Sequence, residues 1–441
     1  MLQQLSHLRE TLNRAAQGSK YYARVLAGCD LNLQSIDEMR QLPILTRSLL
    51  MIHGLEMLIT GAVPEYIRNT SGTTYGGASE PPLVRFISEE ERRAWLRLHE
   101  VMMQGVKGPL PLAARLLSLD HGLDMPGAMP GFFPLPLEKA AHFRQIVHLL
   151  SSSYSFAGYS ERIQLLIGSV TLLKSLTIMC LEHGVNASAF GVKLIKAHSQ
   201  QLTPRWRGLL ESYWEAEVEE VYGLSEVPGL YARRCDSCSL YHFTPLAAAE
   251  ILDPISGKPV TSGVGKIIAT GLYPLVSIQP IIRYDTEDII EVSKDVCESA
   301  GARGFEFLGR QKHVILHPTA TPCVSLLTPR MLNHILDDYP DIGIVPNDRA
   351  KHLPIRAGFG YQKYGLSMTR NDISDSVAID LNIELCWSPL QYPRAAQELK
   401  AAITQRILTI SPPLAKSIEN KLISFNICFH EPGSTQLISG K

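Results

Sequence analysis

The chain has almost no surplus of charge. Its 441 residues carry 42 Lys and Arg against 43 Asp and Glu, a net charge of -1. Proteins that hold nucleic acid by bulk electrostatics need a large positive excess, so the balance argues against that class. Clusters such as Arg233-Arg234, or Arg92-Arg93 after Glu89-Glu90-Glu91, read as solvated faces. Long apolar runs are also missing. The most apolar stretch, Ile163 to Cys180, is broken by Gly168, Lys174 and several Ser and Thr, and predicts a buried helix rather than a membrane span. The start, Met1-Leu2-Gln3-Gln4-Leu5-Ser6-His7, lacks the basic segment and apolar run of a secretory signal, and a cytoplasmic location is expected. No repeat, heptad or low-complexity tract is visible. Cysteine is sparse and scattered, at 29, 180, 235, 238, 297, 323, 386 and 428. In a chain of this size without a leader, these read as reduced thiols or metal ligands rather than a disulfide framework.

What remains is a globular composition, 45% hydrophobic and 19% charged, in a chain too long for a single core. Leu2, Leu5, Leu8, Leu12 and Ala15 predict helix within residues 1–60, interrupted by Pro43. A Gly/Ser/Thr/Pro loop at 69–82 precedes a strand, Leu83–Ile87, and a helix opened by Ser88 with three glutamates in its first turn. Residues 117–136 read as a long loop and 138–183 as helix. Val192–Ala197 predicts a strand, Thr203-Pro204 the cap and first residue of a helix reaching Trp214, and Ala216–Val221 another strand. Strands then dominate, at 250–252, 265–270, 281–284 and 289–292. Past Arg310 come a strand at 314–316, a helix at 329–336, strands at 366–370 and 377–386, a helix pair from Pro393 to Asn420, and a last strand at 422–429. Alternating strands and helices, then strands, predict a layered α/β domain with a small β subdomain, followed by a compact α+β domain.

Four motifs carry chemistry. Thr70-Ser71-Gly72-Thr73-Thr74 is a hydroxyl- and glycine-rich loop, either solvated or suited to holding phosphate oxygens through N–H and O–H donors. Tyr222-Gly223-Leu224-Ser225-Glu226 follows a strand and ends in a carboxylate fit for a hard cation, or is a plain turn. Arg283-Tyr284-Asp285-Thr286-Glu287-Asp288 is an acidic turn, and Gly309-Arg310-Gln311-Lys312 lies where the chain changes character. Cys235-x2-Cys238 followed by His242 has metal-ligand spacing, since a two-residue gap lets both thiolates reach one tetrahedral ion; reduced surface thiols are the alternative.

In this order, and with Ser439-Gly440-Lys441 at the end, the motifs resemble the adenylate-forming (ANL) superfamily, and within it the phenylacetate–coenzyme A ligase-like branch. The resemblance runs from about residue 65 to the end. It implies that residues 1–310 form an adenylation domain and 311–441 a small mobile C-terminal domain. Thr70, Ser71, Gly72, Thr73 and Thr74 would cradle the β- and γ-phosphates of ATP. Tyr222 would pack on adenine at Gly223, Ser225 would contact the α-phosphate, and Glu226 would carry Mg²⁺. Asp288 would accept from the ribose hydroxyls, Arg310 would bind the nucleotide, and Lys312 would be the hinge. Lys441 would bridge the substrate carboxylate and the α-phosphate, with His121 beside the acyl pocket. Cys297 would join Cys235, Cys238 and His242 in a structural Zn²⁺ site.

The chain departs from the family pattern in places. Tyr75-Gly76-Gly77 replaces a Gly-Lys-Pro continuation, Glu287 stands where glycine is usual, and His317-Pro318-Thr319-Ala320-Thr321-Pro322 replaces a glycine-containing loop. The expected function is ATP-dependent activation of a carboxylic acid, by the branch an aryl or arylalkyl acid, with transfer from acyl-AMP to coenzyme A, a carrier-protein thiol or an amine. Nucleotidyl transfer to a cofactor, as in coenzyme F390 synthetases, and a degenerate ATP-binding protein are the alternatives. No nucleic acid or membrane partner is expected, and the oligomeric state is left open, a dimer included.

Overall fold

The structure is a computed structural model that describes residues 2–69, 83–103, 109–117, 131–317, 323–346, 360–371 and 376–434. Its backbone is one eleven-stranded sheet. Phe132–Pro136, Leu110–Leu117, Tyr159–Ser169, Leu194–His198 and Glu217–Gly223 lie side by side, all parallel. Tyr231–Arg234 pairs antiparallel with the last of these, and Tyr241–Phe243, Ala302–Arg310, Tyr284–Cys297, Gly263–Gly271 and Ala247–Leu252 continue antiparallel to the far edge. The α/β layer and the β subdomain are therefore halves of one continuous sheet.

The fold departs from two expectations. Residues 138–183 are not one helical region, because a strand, Tyr159–Ser169, separates helices Ala140–Ser151 and Val170–Glu182. Its Ile163-Gln-Leu-Leu-Ile sits mid-sheet with a parallel neighbour on each side, where a short apolar run cannot be told from a buried helix by periodicity. Ser169 then caps the second helix by accepting from the Leu172 amide. The expected strands at 281–284 and 289–292 are instead one strand, Tyr284–Cys297. The sequence reading also missed Phe132–Pro136, Tyr231–Arg234, Tyr241–Phe243 and Ala302–Arg310.

Caps behave as their residues dictate. Ser88 accepts from the Glu91 amide and Thr203 from Trp206, opening helices Glu89–Met103 and Pro204–Trp214. Pro329–Leu336 begins with Thr328 accepting from Met331. The N-terminal region is broken into helices Leu2–Gly18, Lys20–Val25 and Arg47–His53 with a 3₁₀ turn, Ile36–Gln41, just before Pro43. These pack on the antiparallel half of the sheet around Leu8, Leu12, Leu42 and Leu45. A second core of Leu166, Leu173, Leu176, Ile195 and Trp214 lies between the parallel strands and their helices. A third joins Leu332, Ile335 and Leu336 to the three-stranded sheet Tyr364–Asn371, Ser376–Glu384 and Ile423–His430 and the helices Pro393–Ile410 and Pro412–Glu419. Among the described residues, no helix is long and apolar enough to cross a membrane.

Candidate nucleotide site and cysteine cluster

A cavity of about 150 Å³ opens at the carboxyl ends of the parallel strands, where open α/β sheets place their ligands. One wall is Tyr222, Gly223 and Leu224, at the end of Glu217–Gly223. Asp288, Phe307, Gly309 and Arg310 form the next wall, Ser199, Gln200 and Gln201 a third, and Pro329, Arg330 and Asn333 of helix Pro329–Leu336 the last.

Four of the expected residues, Tyr222, Gly223, Asp288 and Arg310, line this cavity, and three of them touch through their side chains. The Tyr222 hydroxyl donates to Asp288 Oδ2 at 2.7 Å, and Arg310 Nε lies 3.2 Å from Asp288 Oδ1. The Tyr222 ring is held among Phe243, Phe305 and Phe307, with centroids 5.7–6.3 Å away. Asp288 is 1% exposed. Burial pushes its carboxyl above the ordinary aspartate range, opposed first by the Arg310 charge and then by the Tyr222 hydrogen bond. Burial also works against the Arg310 charge, but Asp288 and Glu226 outweigh it and hold the guanidinium protonated.

Asp288 arrives by an irregularity of the sheet. Lys266 pairs with Ile289 and Ile268 with Asp285, so Thr286, Glu287 and Asp288 together oppose the single residue Ile267, while on the other side Asp288 stays in register with Arg310. Glu287, where glycine was expected, keeps the glycine conformation at φ 59°. Arg283 of the same motif points elsewhere. Buried, it forms a two-pronged pair with Glu250 at 2.9 and 3.0 Å and donates to the Leu42 carbonyl, pinning the N-terminal region to the sheet.

Glu226 is buried, with Arg47 Nη1 3.8 Å away. Arg47 reaches it because Leu45 bridges to Tyr284 and Thr46 caps the helix that Arg47 starts. A single carboxylate fits Mg²⁺ only together with phosphate oxygens, the usual arrangement for that ion. Ser225 is half-buried beside it, and Lys312 sits in the turn Gln311–His313. Thr70, Ser71, Gly72, Thr73, Thr74, His121 and Lys441 lie outside the described residues.

Sequence reasoning missed Arg47, Gln200, Gln201 and Lys174. Lys174, in helix Val170–Glu182, also lines the cavity, its ammonium 4.7 Å from the Trp206 ring centre; burial lowers its pKa to about 8. Only topology marks the glutamines, which follow a central parallel strand. Nothing in the sequence marks Arg47.

Across the antiparallel half, Cys235, Cys238, His242 and Cys297 converge, with their ligand atoms within 4.8 Å of one another. Cys235 Sγ and Cys297 Sγ are 3.8 Å apart, and Cys238 Sγ and His242 Nε2 3.1 Å. Two thiolates on one tetrahedral zinc stand roughly 3.8 Å apart, so the spacing fits that ion. Amides of Cys238 and Ser237 lower the Cys235 thiol to about 7, and burial holds His242 below its ordinary value, favouring a thiolate and a neutral imidazole. Gly304 makes room: a Cβ there would lie 2.5 Å from Leu240 Cβ and 3.0 Å from His242 Nε2.

No protein-family profile matches the chain, and no curated protein matches its sequence. Solved structures do. An open conformation of 2-hydroxyisobutyryl-CoA ligase in complex with 2-HIB-AMP and CoA superposes with a TM-score of 0.68 at 15% identity, over 99% of this chain and 89% of that one. The same ligase in its thioesterification state gives 0.58 at 16% identity, over 98% and 86%. An ATP-bound RpMatB-BxBclM chimera gives 0.51 at 15% identity, over 85% and 66%. The chain thus has the fold of the adenylate-forming ligases, a large α/β sheet with a smaller C-terminal unit, as its motifs implied.

Proposed function

We propose that the protein is an ATP-dependent ligase that joins a carboxylic acid to AMP and then to a thiol. The observation that carries this reading is the Tyr222–Asp288–Arg310 constellation at the strand ends. It holds a buried carboxylate between a hydroxyl and a guanidinium, on a cavity that helix Pro329–Leu336 closes. In this reading Asp288 accepts from the ribose hydroxyls, while Arg310 opposes the loss of its charge and faces the nucleotide. Tyr222 and Gly223 line the base, with Thr70–Thr74 and Ser225 on the phosphates. Mg²⁺, when bound at Glu226, neutralises phosphate charge and orients the chain of phosphates.

In the first half-reaction a carboxylate oxygen attacks the α-phosphorus, the bond to the β-phosphate oxygen breaks, and pyrophosphate leaves. Lys441 places positive charge where the five-coordinate phosphorus develops, and His121 borders the acyl group. In the second, a thiolate attacks the acyl carbon and AMP leaves with the bonding electrons. Residues 311–441 form the mobile domain that exchanges the two arrangements about Lys312. Coenzyme A is the acceptor and an aryl or arylalkyl acid the substrate class, supported by the motif pattern of the branch. The cysteine cluster holds a structural zinc that braces the β subdomain and takes no part in the chemistry.

The test is ATP–pyrophosphate exchange against aryl, arylalkyl and short aliphatic acids, with Glu226→Gln as control. Acid-dependent exchange that the control abolishes is expected. No exchange with any acid, despite ATP binding, would sink the reading of an active ligase.

A further inference from the structure

Two buried arginines of this chain face a buried glutamate, and the two pairs differ in geometry. Arg283 and Glu250, with side chains 4% and 6% exposed, close into a two-pronged pair at 2.9 and 3.0 Å, the form a structural ion pair takes. Arg47 and Glu226 are nearly as buried, at 8% and 10%, yet they stop at 3.8 Å. The backbone sets this approach. The Leu45 amide donates to the Arg283 carbonyl at 2.9 Å, and the Asp285 amide donates to the Leu45 carbonyl at 2.8 Å. The segment carrying Arg47 is thereby registered on the same motif that supplies Asp288. Burial first, and then the Glu226 charge, push the Tyr284 hydroxyl up, while Arg47 and Arg310 pull it down, so the three charges gather around one side chain.

We propose that Arg47 is a catalytic residue that binds the departing phosphates of ATP, supplying from the N-terminal region a positive charge that the sequence after Thr74 lacks. This rests on the nucleotide reading above. The motif pattern begins at about residue 65, and the lysine usual in it is absent, with Tyr75-Gly76-Gly77 in its place. Arg47 lies outside that pattern. In the nucleotide reading the phosphates gather at Glu226, and a guanidinium 3.8 Å from its carboxylate comes within reach of the same oxygens. Five N–H donors in a planar fork let one arginine serve a phosphate and a carboxylate together. When the bond from the α-phosphorus to the bridging oxygen breaks, the electron pair leaves with pyrophosphate. A cation beside the departing oxygens stabilises the charge that collects there. The docking of helix Arg47–His53 on the sheet then serves the chemistry as well as the packing.

Equilibrium binding of ATP and of AMP to the unmodified protein, to Arg47→Met and to Arg47→Lys tests this, once with Mg²⁺ and once in EDTA. In Arg47→Met we expect ATP affinity to fall roughly ten- to a hundredfold under both conditions, while AMP affinity stays within about threefold. Arg47→Lys keeps the charge but loses the fork, and its ATP/AMP ratio should fall by about three- to tenfold. An arginine that only packs the N-terminal region would weaken AMP and ATP alike, and that result overturns the proposal. A loss of ATP affinity confined to Mg²⁺ also overturns it, because Arg47 would then act through Glu226 and not on the phosphates. If Arg47→Met does not fold, Arg47→Lys decides the matter, and an unchanged ratio there refutes the contact. Binding of neither nucleotide by the unmodified protein overturns the nucleotide reading itself.

Discussion

Replacing Tyr222 with phenylalanine isolates the hydrogen bond at the centre of the site. The ring stays, and with it the contacts to Phe243, Phe305 and Phe307, so packing is nearly unchanged. What is lost is the donor 2.7 Å from Asp288 Oδ2, in a residue only 1% exposed that water cannot serve instead. A buried hydrogen bond to a charged acceptor contributes about 1.5–3 kcal/mol. For a chain of this size that corresponds to a fall of about 2–3 °C in the thermal midpoint. There is a second signature. The Tyr222 hydrogen bond is one of two influences that oppose the upward push of burial on the Asp288 carboxyl. Without it the carboxyl protonates at higher pH. In the proposed nucleotide site a ribose hydroxyl needs the ionised carboxylate as acceptor, so ATP affinity is expected above the folded-state pKa and lost as pH falls through it. The acid limb of ATP affinity should therefore move upward in Tyr222→Phe. Differential scanning calorimetry and ATP titrations across the acid range check both effects. An unchanged midpoint together with superimposable affinity curves would refute this role for the Tyr222–Asp288 hydrogen bond.

Other residues make separate demands. Purified protein should contain about one zinc per chain, and Cys297→Ser should lower both the zinc content and the thermal midpoint; elemental analysis finding no zinc removes the assignment. Gly309 sits at φ 140°, and a Cβ there would lie 2.7 Å from Pro329 Cγ, so Gly309→Ala should destabilise by about 1–3 kcal/mol in urea titrations, where no change would show that helix Pro329–Leu336 shifts freely. Burial, with Arg330 next, lowers the His334 pKa from 6.5 to about 4. The neutral imidazole is thus favoured by folding, and its contribution, about 2–3 kcal/mol, is complete above the unfolded pKa and lost as pH falls through the interval; His334→Gln should flatten that part of the stability curve, and parallel urea midpoints in acid would refute the sign. Glu287→Gly should be no less stable than the original and up to about 1 kcal/mol more stable, because it relieves a left-handed backbone; a clear loss by calorimetry would mean the Glu287 side chain itself holds the turn.

Legibility followed how local the determinants are. Proline starts placed the first residues of helices Pro204–Trp214, Pro329–Leu336 and Pro393–Ile410, the first two with a threonine hydroxyl capping just ahead of the ring. The strand Tyr159–Ser169 was hidden because a sheet interior asks only for apolar residues, which a buried helix accepts as well. Strands Tyr231–Arg234 and Ala302–Arg310 carry several arginines and little of the apolar pattern that marks a strand, although each pairs with the strand just before it. In the site, Tyr222 and Asp288 were readable as motifs although 66 residues separate them. Gln200 and Gln201 were not, since a glutamine gains meaning only from the orientation that Thr171 and Phe307 impose on it.

The construction of the acidic turn supports the proposed ligand role of Asp288. The Thr286 hydroxyl donates to the Ile267 carbonyl at 2.8 Å and accepts the Asp288 amide at 3.1 Å. Asp285 accepts the Glu287 amide at 3.0 Å and pairs with Lys266 at 2.6 Å. Between them Glu287 is held at a left-handed φ that costs a side-chain-bearing residue about 1–2 kcal/mol. A ladder continuing straight from Asp285 to Ile289 would avoid that cost, and would change the register that sets Asp288 opposite Arg310. Strain held by several converging hydrogen bonds, at the one point that brings a buried carboxylate to a cavity, is the form functional strain takes. The glycine that the family uses there is thus not what makes the turn possible; the side chains of Asp285 and Thr286 are.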